Sequence, residues 1–292
     1  MLTQMITWRV KSSFNHIQKR CVYDMGCNEK RYAIREIADL TGIKPVTLRA
    51  WQRRYNLVQP LRTEKGHRVY TADDLEKIKT IQSWLNKGVS IGKVKSLLES
   101  EVVSSAVEDA NQLEEVSETL DSLAGLDGGK TDRLIAMVLK EYPLTIVESK
   151  FVIPILGAIH FLKLGPRSLQ LALFKTMFIK HLSLMVNSES KRGHRLNKLM
   201  VSLDETGNIF AWLYYAQLVE QGESVVFLDG VEEMSTLFTD VAQYQAVYVF
   251  AQKSLPDKQL DTIVDALQRD GHNIQVSPVI AHLIDVRKGA ES

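Results

Sequence analysis

The 292 residues carry 36 Lys+Arg against 35 Asp+Glu, with 45% hydrophobic and 24% charged side chains. These are the proportions of an ordinary globular chain, long enough for two or three small domains, and they exclude collagen-like, low-complexity and disulfide-scaffold classes. The formal charge of +1 conceals an asymmetry: residues 1–100 hold 19 Lys+Arg and 9 Asp+Glu, the remainder 17 and 26. A basic front on an acidic rear implies that the front meets a polyanion and the rear does not.

Residues 1–24 include Arg9, Lys11, Lys19 and Arg20 but show neither apolar periodicity nor the apolar run of a secretory signal. Residues 1–30 are therefore expected to be a disordered extension, with Met25 as an alternative start. Cys21 and Cys27 are the two cysteines of the chain. They make no disulfide framework, which points to a reducing cytoplasm, and two thiolates alone do not complete a metal site.

From Tyr32 the pattern becomes specific. Ile34, Ile37, Ala38 and Leu40 predict a short helix, and Thr41-Gly42-Ile43 a tight turn. Pro45 pre-sets the first turn of a second helix. There Leu48, Trp51 and Tyr55 are expected on the core, and Val46, Arg49, Ala50 and Arg53 on the opposite face, with Thr47 and Arg54 at its margins and Lys44 just ahead. Guanidinium groups beside small residues suit entry into the major groove, where Arg binds phosphate or guanine bidentately. Leu61 to Tyr70 predicts a β-hairpin turning at Lys65-Gly66, whose Arg62, Lys65, His67 and Arg68 would grip flanking phosphates, with Tyr70 beside them. Thr71 can cap a helix with Asp73 and Asp74 in its first turn, running through Leu75, Ile78, Ile81 and Leu85 to Gly88. Ser90 caps one more helix, closed by Val94, Leu97 and Leu98. Residues 31–100 are thus expected to be a winged helix-turn-helix domain.

Glu101 to Gly129 holds eight acidic side chains and no basic one, and ends in Gly125, Gly128 and Gly129. Residues 101–129 are expected to be an acidic linker with room for one short helix. Residues 130–190 show helical faces such as Leu134, Met137 and Val138, then Leu169, Leu173 and Met177; Pro143, Pro154 and Gly165-Pro166 divide them into a small helical bundle. The apolar run Phe151–Leu162 is too short to span a bilayer, and no membrane is expected. His160 and His181 fall on bundle helices and are expected to be core residues bonded to backbone.

After Leu196 the grammar changes. Lys198–Leu203, Ser224–Leu228 and Ala246–Phe250 have strand length, with Ile274–Val279 a candidate fourth strand. Helical segments Ile209–Gln221, Glu232–Gln243 and Asp257–Asp270 lie between them, so residues 196–292 are expected to form a small Rossmann-like parallel sheet. Trp212, Tyr214 and Tyr215 are expected to pack on that sheet or on a second subunit. No Gly-rich phosphate loop, HExxH or CxxC pair occurs, and Asp204 beside Glu205 does not define an acid–base pair, so the chain is not expected to be an enzyme. The fold class is multidomain α and α/β: winged helix-turn-helix, bundle and small parallel sheet.

The segments YAIREIADLTGIKPVTLRAWQRRY, LVQPLRTEKGHRVYTADDLEKIKTI and NKGVSIGKVKSLL resemble the DNA-binding domain of MerR-type regulators. TLRAWQRRY is similar to the MlrA branch of that family, which also holds the cobalamin photoreceptor regulators CarA, CarH and LitR. The resemblance implies a dimeric activator that binds double-stranded DNA at a pseudo-palindromic operator and contacts RNA polymerase holoenzyme, with biofilm-matrix genes among the candidate targets. The photoreceptor members place a cobalt-ligating His in an E/D-x-H-x-x-G motif after the first Rossmann strand. Here that strand leads into Leu203-Asp204-Glu205-Thr206-Gly207-Asn208-Ile209, and no His occurs from Arg195 through Gly271. Phe250-Ala251-Gln252-Lys253 likewise lacks the glycine pair expected near the nucleotide tail. No cofactor is therefore expected; the alternative is a cobalamin-dependent, light-responsive repressor.

Overall fold

The computed structural model describes residues 30–99, 112–190, 198–234, 238, 244–270 and 273–290, so the extension expected over residues 1–30 lies outside it up to residue 29. Residues 31–292 form one unit.

At its start, β1 (Tyr32–Ala33) leads into α1 (Ile34–Thr41), which buries Ile37. Gly42, at φ 69°, donates its N–H to Ala38 O at 2.8 Å and ends the helix in a geometry that a Cβ disfavours. Pro45 opens α2 (Pro45–Ala50), which continues as a wider π-type turn over Trp51–Tyr55. Strands β2 (Leu61–Arg62) and β3 (Arg68–Tyr70) pair antiparallel, with Arg62 opposite Arg68, and β1 pairs with the other edge of β3. Thr71 Oγ1 accepts from Asp74 N at 3.1 Å and Asp74 Oδ2 from Thr71 N at 3.0 Å, a reciprocal cap that starts α3 (Ala72–Asn86). Helix α4 is Ile91–Glu99. Ile37, Ile43, Leu48, Trp51, Ile78, Ile81, Leu85 and Val94 fill the space between these elements.

The expected acidic linker is only partly a linker. Residues 100–111 lie outside the described set, but Glu115–Ala124 is a helix, α5, and Leu113, Val116 and Leu123 are fully buried. Val116, Leu120 and Leu123 recur at i, i+4 and i+7, so the acids occupy the opposite face and the segment belongs to the bundle. Ser122 Oγ and Thr131 Oγ1 meet at 2.9 Å in the interior, joining α5 to α6 (Gly128–Glu141). Helix α7 (Leu144–Val147) passes through a π-type segment, Glu148–Val152, into α8 (Ile153–His160). The 27-residue α9 (Leu164–Ser190) buries Phe174, Phe178, Leu182 and Val186, four residues apart. By length and composition α9 would reach across a bilayer, but this stripe packs in the bundle core.

Neither bundle histidine is a buried group tied to backbone. His160 is exposed, with its ring edge-on to Phe161; His181 sits 2.9 Å from Asp132 Oδ1. Lys180 and then His181 hold the Asp132 carboxyl below the ordinary carboxylate range.

The rear sheet is parallel, in the order β5-β4-β6-β7, with β4 Lys198–Ser202, β5 Val225–Leu228, β6 Ala246–Phe250 and β7 Ile274–Val276. Leu199, Val201, Val247 and Val249 face α11 (Asp257–Asp270) and α12 (Pro278–Ala290); Met200, Tyr248 and Phe250 face α10 (Ile209–Glu220). Covering both faces explains why these strands are apolar throughout rather than alternating. Tyr214 stacks on Phe250 and Tyr215 on Phe227, so the aromatic cluster of α10 packs on the sheet. The helix expected over Glu232–Gln243 lies mostly outside the described residues, of which Glu232–Met234 is not helical; the fourth strand is present as β7 but stops at Val276 because Pro278 starts α12.

Candidate nucleic-acid interface

An α-helix turns about 100° per residue, so Val46, Arg49 and Arg53 share one face of α2 and its extension, and Thr47, Ala50 and Arg54 the next. The first face is open: Val46 is 41% exposed, Arg49 and Arg53 are exposed, and neither arginine makes a side-chain hydrogen bond or ion pair among the described residues. Beside it stands the β2–β3 hairpin. Its turn is held by Thr63 N to His67 O at 2.9 Å and Gly66 N to Thr63 O at 2.8 Å, and Gly66 adopts φ 78°. Arg62, Lys65 and His67 are exposed. Arg68 is half-buried; its Nε donates to Gln52 Oε1 at 2.7 Å, which ties hairpin to helix. Between the two lies an open groove of about 510 Å³ lined by Gln52, Arg53, Asn56, Leu61, Arg62 and Arg68. Three guanidiniums around one groove favour a polyanionic ligand.

Four residues expected at this surface lie elsewhere. Tyr70 is 1% exposed in the core, and burial pushes its hydroxyl pKa up. Thr47 and Ala50 are each 1% exposed, because the C-terminal corner of α6 covers their face. Thr47 Oγ1 donates to Lys140 O at 3.2 Å. Lys44 is drawn to Glu220 of α10 and to the Met185 sulfur of α9. Arg54, at the margin, is half-exposed and pairs with Glu141.

Sequence reasoning missed Glu141, which gathers this contact. Its side chain is 1% exposed; its oxygens accept from Arg54 and the Tyr55 hydroxyl, and its backbone O from Trp51 Nε1 at 2.8 Å. A signal existed, since Leu134, Val138 and Glu141 fall at i, i+4 and i+7, which puts a carboxylate on the apolar stripe.

Residues 32–101 match the family model of the MerR HTH family regulatory protein, so the segment that builds the groove is a MerR-family helix-turn-helix domain and the chain a DNA-binding transcription regulator. Over 246 residues, 83% of this chain and 97% of the relative, it is 28% identical to the HTH-type transcriptional regulator MlrA of Escherichia coli strain K12. The chain as a whole is thus MlrA-like, with the MerR-family match carried by its helix-turn-helix segment. MlrA of Salmonella typhimurium strain SL1344 is 51% identical over 70 residues, 24% of this chain and 29% of that one. The HTH-type transcriptional repressor CarH of Myxococcus xanthus is 37% identical over 70 residues, 24% of this chain and 23% of that one.

Proposed function

We propose that the chain is a dimeric activator in the cytoplasm that lays α2 into the major groove of a pseudo-palindromic promoter site, grips flanking phosphates with the β2–β3 hairpin as a wing, and contacts RNA polymerase holoenzyme. The supporting observation is the open Arg49–Arg53 face beside Arg62 and Arg68, with the groove between them. Arg49 and Arg53 are the base-reading candidates; Arg62, Lys65, His67 and Arg68 act on phosphates. Arg53→Ala should cost about 1–3 kcal/mol at the cognate site and relax selection at one base position. Binding-site selection from a randomised duplex pool measures this, and equal loss on every sequence would make Arg53 a phosphate clamp.

Two copies are needed because one such module buries only about 600–1,000 Å² on DNA. The surface read as joining them is the outer side of α8–α9, where Phe161 is 89%, Leu164 72%, Leu184 57% and Leu169 56% exposed. Leu169→Glu should shift the full chain toward monomer in sedimentation; an unchanged dimer would place the contact elsewhere.

The residues after β4 do not fit cobalamin. Gly207 and Asn208 stand where an imidazole is required, and neither supplies a cobalt donor of that kind. The Gly207 N–H is bound at 3.0 Å to Asp229 Oδ2, and a Cβ on Gly207 would lie 3.4 Å from Ile179 Cδ1.

A further inference from the structure

We infer that the α6–α7 corner and the C-terminal end of α10 act as an internal stand-in for DNA phosphate, holding one flank of α2 closed until duplex displaces them. The inference rests on the reading of α2 as the helix that enters the groove. Carboxylates from two separate elements, Glu141 and Glu220, converge on cations at the two ends of that helix, Arg54 and Lys44. Between these ends the flank is sealed by the Thr47 hydroxyl on Lys140 O and the Trp51 indole N–H on Glu141 O. Arginine, lysine and hydroxyl donors are the groups with which a helix grips the phosphate oxygens of a nucleic-acid backbone. Here the acceptors belong to the same chain.

Geometry makes the two partners exclusive. The major groove is about 12 Å wide and a helix with side chains about 10–12 Å across, so a seated helix meets a phosphate wall on each flank. Lys44 is 11% exposed and Thr47 and Ala50 1%, which leaves no space for a wall there while α6 stays in place. The outer face with Arg49 and Arg53 remains open. Encounter with DNA is therefore permitted and full seating is withheld. Apparent affinity then falls by the fraction of molecules that are open.

The test uses the full chain and a fluorescein-labelled duplex about three helical turns long that carries the site recovered by binding-site selection. Glu141→Gln with Glu220→Gln should raise affinity about tenfold by freeing the closed flank. Glu118→Gln with Glu223→Gln makes the same change of net charge at carboxylates that pair with Lys130 and Lys198 instead, and should alter affinity less than twofold. Equal gains in both pairs, or no gain in the first, would overturn the inference. Hydrogen exchange on the unmutated chain needs no variant to fold: duplex should speed exchange at the amides of Leu139–Tyr142, and unchanged rates there would also overturn it. Arg53→Ala keeps the two failures apart. If it does not weaken duplex binding, the α2 reading fails; if it does and the Gln pair has no effect, only the closed flank fails.

Discussion

The groove beside α2 and the carboxyl end of the rear sheet are both lined with polar groups, and the chain treats them oppositely. At the sheet end Asp204 and Asp229 each accept from the chain's own N–H groups. Asp204 accepts from Gln252 N at 2.9 and 3.2 Å, and Asp229 Oδ2 from Gly207 N at 3.0 Å and Trp212 Nε1 at 2.9 Å. Gly230 lies so near Thr206 that a Cβ there would fall 2.1 Å from its hydroxyl. On the helix face and the hairpin that flank the groove, Arg49, Arg53, Lys65 and His67 stay exposed. Polar groups tied to one another stabilise a fold, whereas preorganised donors left facing solvent are available to a ligand.

Asp229→Ala should separate the two regions most sharply. It strips the acceptor from a backbone N–H and an indole N–H, so thermal unfolding should register a loss of about 1–3 kcal/mol while duplex affinity holds. A matching fall in affinity would mean that the sheet end and the groove are coupled. Arg62→Ala should do the reverse at smaller cost, leaving Tm unchanged and lowering the slope of log affinity against log salt by about 0.9. An unchanged slope would remove the hairpin from the phosphate contact.

The smallest effect belongs to Glu148, in the π-type segment between α7 and α8. Burial raises its carboxyl above the ordinary carboxylate range, and the Gln217 amide pulls it partly back. Between the unfolded and folded pKa values the folded chain binds more protons, so stability falls as pH rises through that window. Glu148→Gln should abolish that slope and raise Tm slightly at neutral pH. A Tm that falls at neutral pH would mean that the bond to Gln217 outweighs desolvation.

What was legible in the sequence was local. Gly42 at positive φ, the Thr71–Asp74 cap, the turn at Lys65-Gly66 and the strand-length runs each carry their cause within a few residues. The misplacements depend on distant chain. Thr47 and Ala50 are small and adjacent to arginine, which suits a DNA-facing surface until Lys140 and Glu141, some 90 residues on, cover them. Tyr70 lies two residues from Arg68 and so on the same face of β3, but it is covered by the core. The acid-rich stretch after residue 100 left room for a short helix, but its charge density masked the three apolar positions that bury α5 in the bundle.

Helix α9 extends about 40 Å at 1.5 Å per residue. Its first turns carry Leu164 and Leu169 into solvent, and its last bring Met185 against Lys44, where α2 begins. An uninterrupted backbone ladder makes such a rod a strut, stiff to bending and to twist. Any tilt imposed at the leucine end is therefore delivered at the threshold of the DNA-reading helix, along a single element and with no loop in between to absorb it.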